Sequence, residues 1–266
     1  MNQQATGSSP GRDTLPFVAP CHQLKATDPL RWVSMGWQDV RRAWRPTLSY
    51  GISLVFISYL VTGLAFWLGS YVLVLAALSG FVFIAPVAAI GLYEISRQVE
   101  AGNKPMMIVA IRGTQRAFGN ATVFSLALLV VFLLWARASS VISVFLPIQA
   151  DPDFVEMWPY LLVGTAVGAV FAAVTFSVSA FSLPMIDDRD TDTVTALVTS
   201  VNAVLRNKRA MLVWAAIIGM AVLAGFATAF LGFVVLIPLL GYSTWHAYEE
   251  TIDASAWPKA APRSES

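Results

Sequence analysis

Three ionisable residues share one spacing in this chain. Glu94 lies eight residues past Pro86, Asp192 eight past Pro184, and His246 eight past Pro238. Two carboxylates and an imidazole are donors that suit a divalent metal ion, and they could equally gate a polar mouth between helices. Glu94, Asp192 and His246 are therefore the candidate metal ligands. The competing explanation needs no metal. Asp192 precedes an amphipathic run and reads as a helix cap, while Glu94 and His246 sit where helices meet water.

Other chemistry is largely excluded by residue type, and neither an enzyme nor a cofactor is expected. There is no GxSxG, no glycine-rich phosphate loop and no Ser-His-Asp ordering in a plausible context, so no catalytic residue is assigned. A multi-histidine haem–copper centre is ruled out, because the chain holds only His22 and His246. The single Cys21 permits neither an internal disulfide nor a cysteine-rich metal site.

The elements that must position these residues are membrane helices. Hydrophobic residues make up 57% of the 266 and charged residues only 12%, about half the share of a typical globular chain. The runs 47–93, 119–136, 159–186, 211–231 and 232–245 contain no Asp, Glu, Lys, Arg or His. Helices are expected at about 47–68, 71–93, 120–136, 159–186, 211–231 and 232–248, each near the roughly 20 residues that cross a bilayer core. Short turns join the first two and the last two, so they pair as hairpins. Pro86, Pro184 and Pro238 should kink the helices that contain them. Charge-free runs argue against a buried proton relay.

Between the spans lie amphipathic segments. Asp28-Pro29 predicts a helix start, followed by an apolar face of Leu30, Val33, Trp37, Val40 and Trp44 with arginines beside it, as in a helix lying in the headgroup layer. A weaker helical pattern covers 97–118, interrupted by Gly113 and Gly119. After Asp187, Asp188, Asp190 and Asp192 comes a helix with Val194, Leu197, Val198, Val201, Val204 and Leu205 on its apolar face. The stretch 137–158 reads as an external loop with a partly embedded start. Gly164, Gly168 and Ala172 form a small-residue series that permits close helix approach.

Orientation follows from the cations. With six spans, 16 of the 17 Lys and Arg fall on one side and only Arg137 on the other. By the positive-inside rule both termini are cytoplasmic. The clusters Arg41, Arg42, Arg45 and Arg206, Lys208, Arg209 face that side, where anionic lipid or a partner would meet them. The domain reading is a disordered tail over 1–27, a six-span domain over 28–250 and a second tail over 251–266. Each third of the domain (about 28–100, 101–190 and 191–250) reads as an amphipathic segment, a hairpin and a proline in the returning arm, a parallel threefold repeat.

Four blocks carry a resemblance: RWVSMGWQDVRRAWRPTLSYG, SGFVFIAPVAAIGLYEISRQVEAG, SLPMIDDRDTDTVTALVTS with MLVW, and GFVVLIPLLGYSTWHAYEE. Over about 30–250 the chain resembles the bacterial integral-membrane family catalogued as domain of unknown function 2189. The resemblance implies an inner-membrane protein without an established activity and assigns no catalytic residues. The expectation is an all-α polytopic bundle acting as a non-enzymatic scaffold or accessory protein. Its partners would be the bilayer and a membrane protein or second copy of itself, and not nucleic acid. The alternative is a small-solute transporter or channel, in which Thr62, Ser79, Thr175, Ser177 and Ser179 would converge on a cavity.

Overall fold

The computed structural model describes residues 16–68, 88–145 and 154–260. The helices are α1 (Asp28–Arg42), α2 (Trp44–Leu68), α3 (described over 88–100), α4 (Met107–Phe145) and α5 (Phe154–Ser179). They continue with α6 (Ser182–Asp188), α7 (Thr193–Arg206), α8 (Lys208–Ala227) and α9 (Phe233–Thr251). Among the described residues the only β-type pairings are two isolated bridges, Cys21 with Ile252 and Arg189 with Lys259. The chain is an all-helical integral membrane protein.

Four helical stretches are long and apolar enough to cross a bilayer: Trp44–Leu64, Gly119–Ile142, Met157–Asp188 and Lys208–Ala227. The expected second span lies mostly outside the described residues, as do Pro86, Ser79 and the loop over 146–153. The expected sixth span is the helix α9, which is not among the four. Its first half is apolar, but its second half carries Ser243, Thr244, His246, Glu249 and Glu250, with Ser243 and His246 buried against other helices.

The segments between spans differ from expectation in several places. The weak segment 97–118 and the span after it are not separated at Gly113 and Gly119. One continuous helix, Met107–Phe145, runs through both and takes in the start of the expected external loop. Helical glycines cost only about 1 kcal/mol each relative to alanine, too little to break a helix of that length. The expected span 159–186 is instead divided at Ala180-Phe181, ahead of Pro184. Pro184 falls in the first turn of α6, where its missing N–H removes no bond. The Phe181 amide donates to Ser200 Oγ of α7 instead (3.1 Å).

The stretch 16–27 is not a disordered tail. The Ala19 amide donates to Thr199 Oγ1, His22 N to the Thr251 carbonyl, and Leu24 N to Asn207 Oδ1. The chain after α9 also packs: Trp257 is buried and the Ala260 amide donates to the Asp188 carbonyl. Both segments lack helical periodicity, so their backbone groups are satisfied by pairing across the molecule, which a local pattern does not reveal.

The two amphipathic helices each bury one face and turn the other outward. In α1 the buried set is Pro29, Trp32, Gly36, Asp39 and Val40, while Leu30 and Trp37, with Trp44 at the start of α2, are exposed, as a helix lying in the headgroup layer requires. In α7 the buried set is Thr193, Thr195, Ala196, Thr199, Ser200, Ala203 and Val204, while Val194 and Leu205 are exposed. In α7 small and hydroxyl residues make most of the close contacts, and bulky apolar ones face outward. In a water-surrounded protein that would be inverted; beside lipid it is expected, because acyl chains solvate Leu, Val and Trp as well as a core does.

The α1–α9 contact is the most extensive between elements, and α2 also packs on α9. A glycine sits at each close approach. Gly36 leaves room for Ser243 and the Leu239 carbonyl, and Gly51 for the Val234 carbonyl. Pro238 lies four residues past Val234 and has no N–H to give that carbonyl. Trp32 of α1 meets Trp214 of α8 edge to face, with ring centroids 5.7 Å apart. These contacts gather α1, α3, α6, α7 and the end of α9 into one polar headpiece at one end of the apolar bundle.

Candidate functional site

The headpiece brings together the ionisable residues of four helices. On α9, Tyr242, Trp245, His246 and Glu249 recur at three- and four-residue spacing and so lie along one face. On α3, Ser96, Arg97 and Glu100 do the same. From α1 comes Asp39, and from α6 come Asp187 and Asp188. The last apolar run ends at Trp245, so His246 and Glu249 stand outside the membrane-spanning segments.

Asp39 and His246 form the inner pair, each only 3% exposed. His246 Nε2 is 2.8 Å from Asp39 Oδ2, and Ser96 Oγ donates to the same oxygen (2.6 Å). The other ring nitrogen, Nδ1, lies 3.4 Å from Glu100 Oε1 without hydrogen-bond alignment and is a buried atom with no hydrogen-bond partner. Trp245 Nε1 donates to Glu100 Oε2 (3.1 Å). Glu100, His246 and Glu249 each offer a donor atom, and these atoms lie within 4.8 Å of one another.

The environment separates the ionisation of the three. Burial alone would lower the His246 pKa, but hydrogen bonds and charge from Asp39 and Glu100 outweigh it and raise it to about 9. Burial works to raise Glu100, yet hydrogen bonds from His246, Glu249 and Trp245 bring it down to about 2. Glu249 is pushed up to about 8 by burial and by the neighbouring Glu100 carboxylate.

A second network lies beside it. Arg97 Nη1 pairs with Glu94 Oε2 (2.7 Å) and Nη2 with the fully buried Asp187 Oδ2 (2.6 Å). The guanidinium also sits 4.7 Å from the ring centroid of Trp245. Asp188 Oδ2 accepts from Arg189 Nε and from the Tyr248 hydroxyl.

The expected trio is not what gathers. Asp192 is the N-cap of α7, accepting from the Thr195 amide (2.9 Å) and the Thr195 hydroxyl (2.7 Å). Glu94 is engaged by Arg97. Only His246 belongs to the clustered group, with Glu100 and Glu249 in the other two places. The i,i+3 pair His246/Glu249 puts two donors on one helical face and was the available signal. Asp39 gave none, because it lies among arginines on the side of α1 read as solvated.

The basic clusters are exposed. Arg41 lies over Trp37 (5.6 Å) and Arg45 over Trp44 (5.2 Å), so indole and guanidinium share one outward face. Arg206, Lys208 and Arg209 flank Asn207 at the α7–α8 join and are exposed as well. Deeper in the bundle, a cleft of about 800 Å³ opens among α3, α4, α5, α8 and α9, lined by Tyr93, Phe124, Trp135, Phe171 and Trp214. Thr175 and Ser179 also line it. Ser177 Oγ and Ser179 Oγ donate to carbonyls one turn back, and Thr62 is exposed. Of the four hydroxyls that are described, Thr175 and Ser179 line the cleft and Thr62 and Ser177 do not.

Residues 73–188 match the family model described as a predicted integral membrane protein, domain of unknown function 2189. The family that the sequence blocks resemble is thus the one matched, over a range ending at the last residue of α6. The blocks in α1, α7 and α9 lie outside that range. No curated protein and no solved structure matches the chain.

Proposed function

We propose that this integral membrane protein is a non-enzymatic scaffold or accessory protein that presents a rigid polar headpiece at the membrane surface. The observation that carries the reading is the division of the molecule. Ionisable side chains are concentrated in the interlocked headpiece, while the apolar helices present large hydrophobic side chains outward. Leu30, Trp37 and Arg41 on α1, with Trp44 and Arg45 at the start of α2, suit a segment lying in the headgroup layer, with Val194 and Leu205 of α7 at a similar depth. We read the headpiece as cytoplasmic, in a bacterial inner membrane. The six-span count holds if the segment before α3 and the apolar first half of α9 complete the hairpins. Both termini then share the cytoplasmic side with the basic clusters.

The partner expected is a membrane protein or a second copy, reached through the outward faces of α1 and α7. A photoreactive phenylalanine analogue at Leu205, activated in native membranes, should give one discrete protein adduct. The same probe at buried Trp32 should give none. Diffuse lipid labelling alone at Leu205 would contradict the reading.

The cleft favours the second reading, a small-solute transporter. Its lining is aromatic and aliphatic apart from Thr175 and Ser179, which suits an apolar solute better than an ion. Flux of such a solute into vesicles containing the purified protein, abolished by Thr175→Trp, would replace the scaffold reading.

A further inference from the structure

We propose that Glu100, His246 and Glu249 bind one divalent transition-metal ion, of the class that zinc represents, at the water-facing edge of the headpiece. The inference is independent of the scaffold reading and uses a different ligand set from the one the proline spacing suggested.

Three observations carry it. The first is Nδ1 of His246, a buried nitrogen on a side chain only 4% exposed, which lies 3.4 Å from Glu100 Oε1 without an aligned hydrogen bond. A buried nitrogen satisfied only by so long a contact is poorly compensated, and a metal–nitrogen bond would compensate it. The second is what the other nitrogen does. His246 Nε2 is held at 2.8 Å by Asp39, which is itself fixed by Ser96. A carboxylate on the far nitrogen of an imidazole orients the ring and raises the basicity of the nitrogen facing the metal. The third is the convergence of two further oxygen donors, Glu100 and Glu249, with that nitrogen.

The dimensions fit after a small closure. A tetrahedral zinc with ligands at about 2.0–2.2 Å needs donor atoms about 3.4 Å apart. The Nδ1–Glu100 separation is already 3.4 Å. Glu100 and Glu249 are both exposed and already meet each other, and Glu100 is steadied by the Trp245 indole. One nitrogen and two carboxylate oxygens leave a fourth position for water, as in zinc sites that stay open rather than sealed. Imidazole favours zinc, copper, iron or nickel over magnesium and calcium, which prefer oxygen donors.

The test is metal binding by the full-length protein in mild detergent, stripped with chelator and dialysed against Zn²⁺ or Co²⁺. The expected result is one ion per chain, with tetrahedral absorption bands for Co²⁺. His246 is buried and its replacement risks the fold, so the informative variants are Glu249→Gln, at an exposed ligand, and Asp39→Asn, behind the imidazole. Glu249→Gln should weaken Zn²⁺ binding at least tenfold, and Asp39→Asn about 10–100-fold. Asp28→Asn, at a half-buried carboxylate at the start of α1 outside the ligand group, should leave it unchanged. Fewer than one ion per chain, or unchanged affinity in Glu249→Gln, would overturn the proposal.

Discussion

Arg97 is held between two carboxylates and an indole face, and the consequence of removing it follows from Asp187. That aspartate is fully buried, and Arg97 Nη2 pairs with it at 2.6 Å. Taking one partner from a buried pair leaves an uncompensated charge and costs about 3–5 kcal/mol. Arg97→Ala should therefore lower the unfolding midpoint sharply, and Arg97→Ala with Asp187→Asn should recover part of the loss. Arg97→Lys should fall nearer to alanine than to wild type, since an ammonium cannot fork to Glu94 and Asp187 at once. Thermal unfolding in detergent reads all three. The His246 group makes a pH prediction for metal-free protein. It is faced by Asp39 from α1, by Glu100 from α3 with Arg97 beyond Trp245, and by Glu249 from its own helix. His246 is raised from 6.5 to about 9 and Glu249 from 4.5 to about 8. A raised folded pKa contributes stability that is complete below the unfolded value and lost as pH rises through the folded one. Stability should thus decline from neutral pH to about pH 9, and Glu249→Gln should flatten the lower part of that decline. A midpoint rising over that range would contradict the assignment. Only His246 of this group was legible in the sequence. Glu100 and Asp39 come from helices distant in the chain, and no spacing rule links them to residue 246.

At the scale of elements, the α2–α9 contact joins a proline to a glycine. Pro238 leaves the Val234 carbonyl without its helical donor, and Gly51 brings the α2 backbone against it. Close backbone approach of this kind admits weak Cα–H to carbonyl contacts, each worth about 0.5–1 kcal/mol. Gly51→Ala would drive a methyl group into the Val234 carbonyl, and overpacking against backbone costs about 1–3 kcal/mol. Gly63→Ala, on the same helix with nothing within 4 Å of its added carbon, should change stability by less than about 1 kcal/mol. Equal effects at the two positions would show that α2 does not seat on α9 there. The proline spacing predicted kinks, and the observed roles are different in kind. Pro184 opens a short helix after a break, while Pro238 stays within one helix and exposes a carbonyl to a neighbour. Periodicity located α1 and α7 correctly but could not say which face turns inward. In α7 small and hydroxyl residues take the packed side and Val194 and Leu205 the outer one, as an apolar solvent permits, whereas α1 packs through Trp32.

For the whole molecule, hydropathy and charge were enough to read a helical membrane protein, because a backbone in lipid must satisfy its hydrogen bonds within helices or closed barrels. They did not reveal that 16–27 and the segment after α9 are structural parts of the headpiece. Those segments are held by backbone bonds to α7, α9 and the Asp188 carbonyl, contacts without a local sequence signal. Removing residues 1–24 should therefore destabilise the protein rather than trim a loose end, since Ala19, Cys21 and Leu24 pack in the core cluster. The truncation should lower the unfolding midpoint by several degrees, and an unchanged midpoint would mean that the segment contributes nothing. The central claim is that the headpiece occupies one face of the membrane, the cytoplasmic one. Single cysteines in a Cys21→Ser background, placed at Arg31, Glu249 and Ser255, can be labelled with a membrane-impermeant maleimide. Val144, past the apolar stretch of α4 that ends at Ile142, provides the opposite-side position. The headpiece positions should react in inverted vesicles and stay protected in intact spheroplasts, with Val144 showing the reverse. Labelling of Arg31 and Ser255 from opposite sides would contradict the claim.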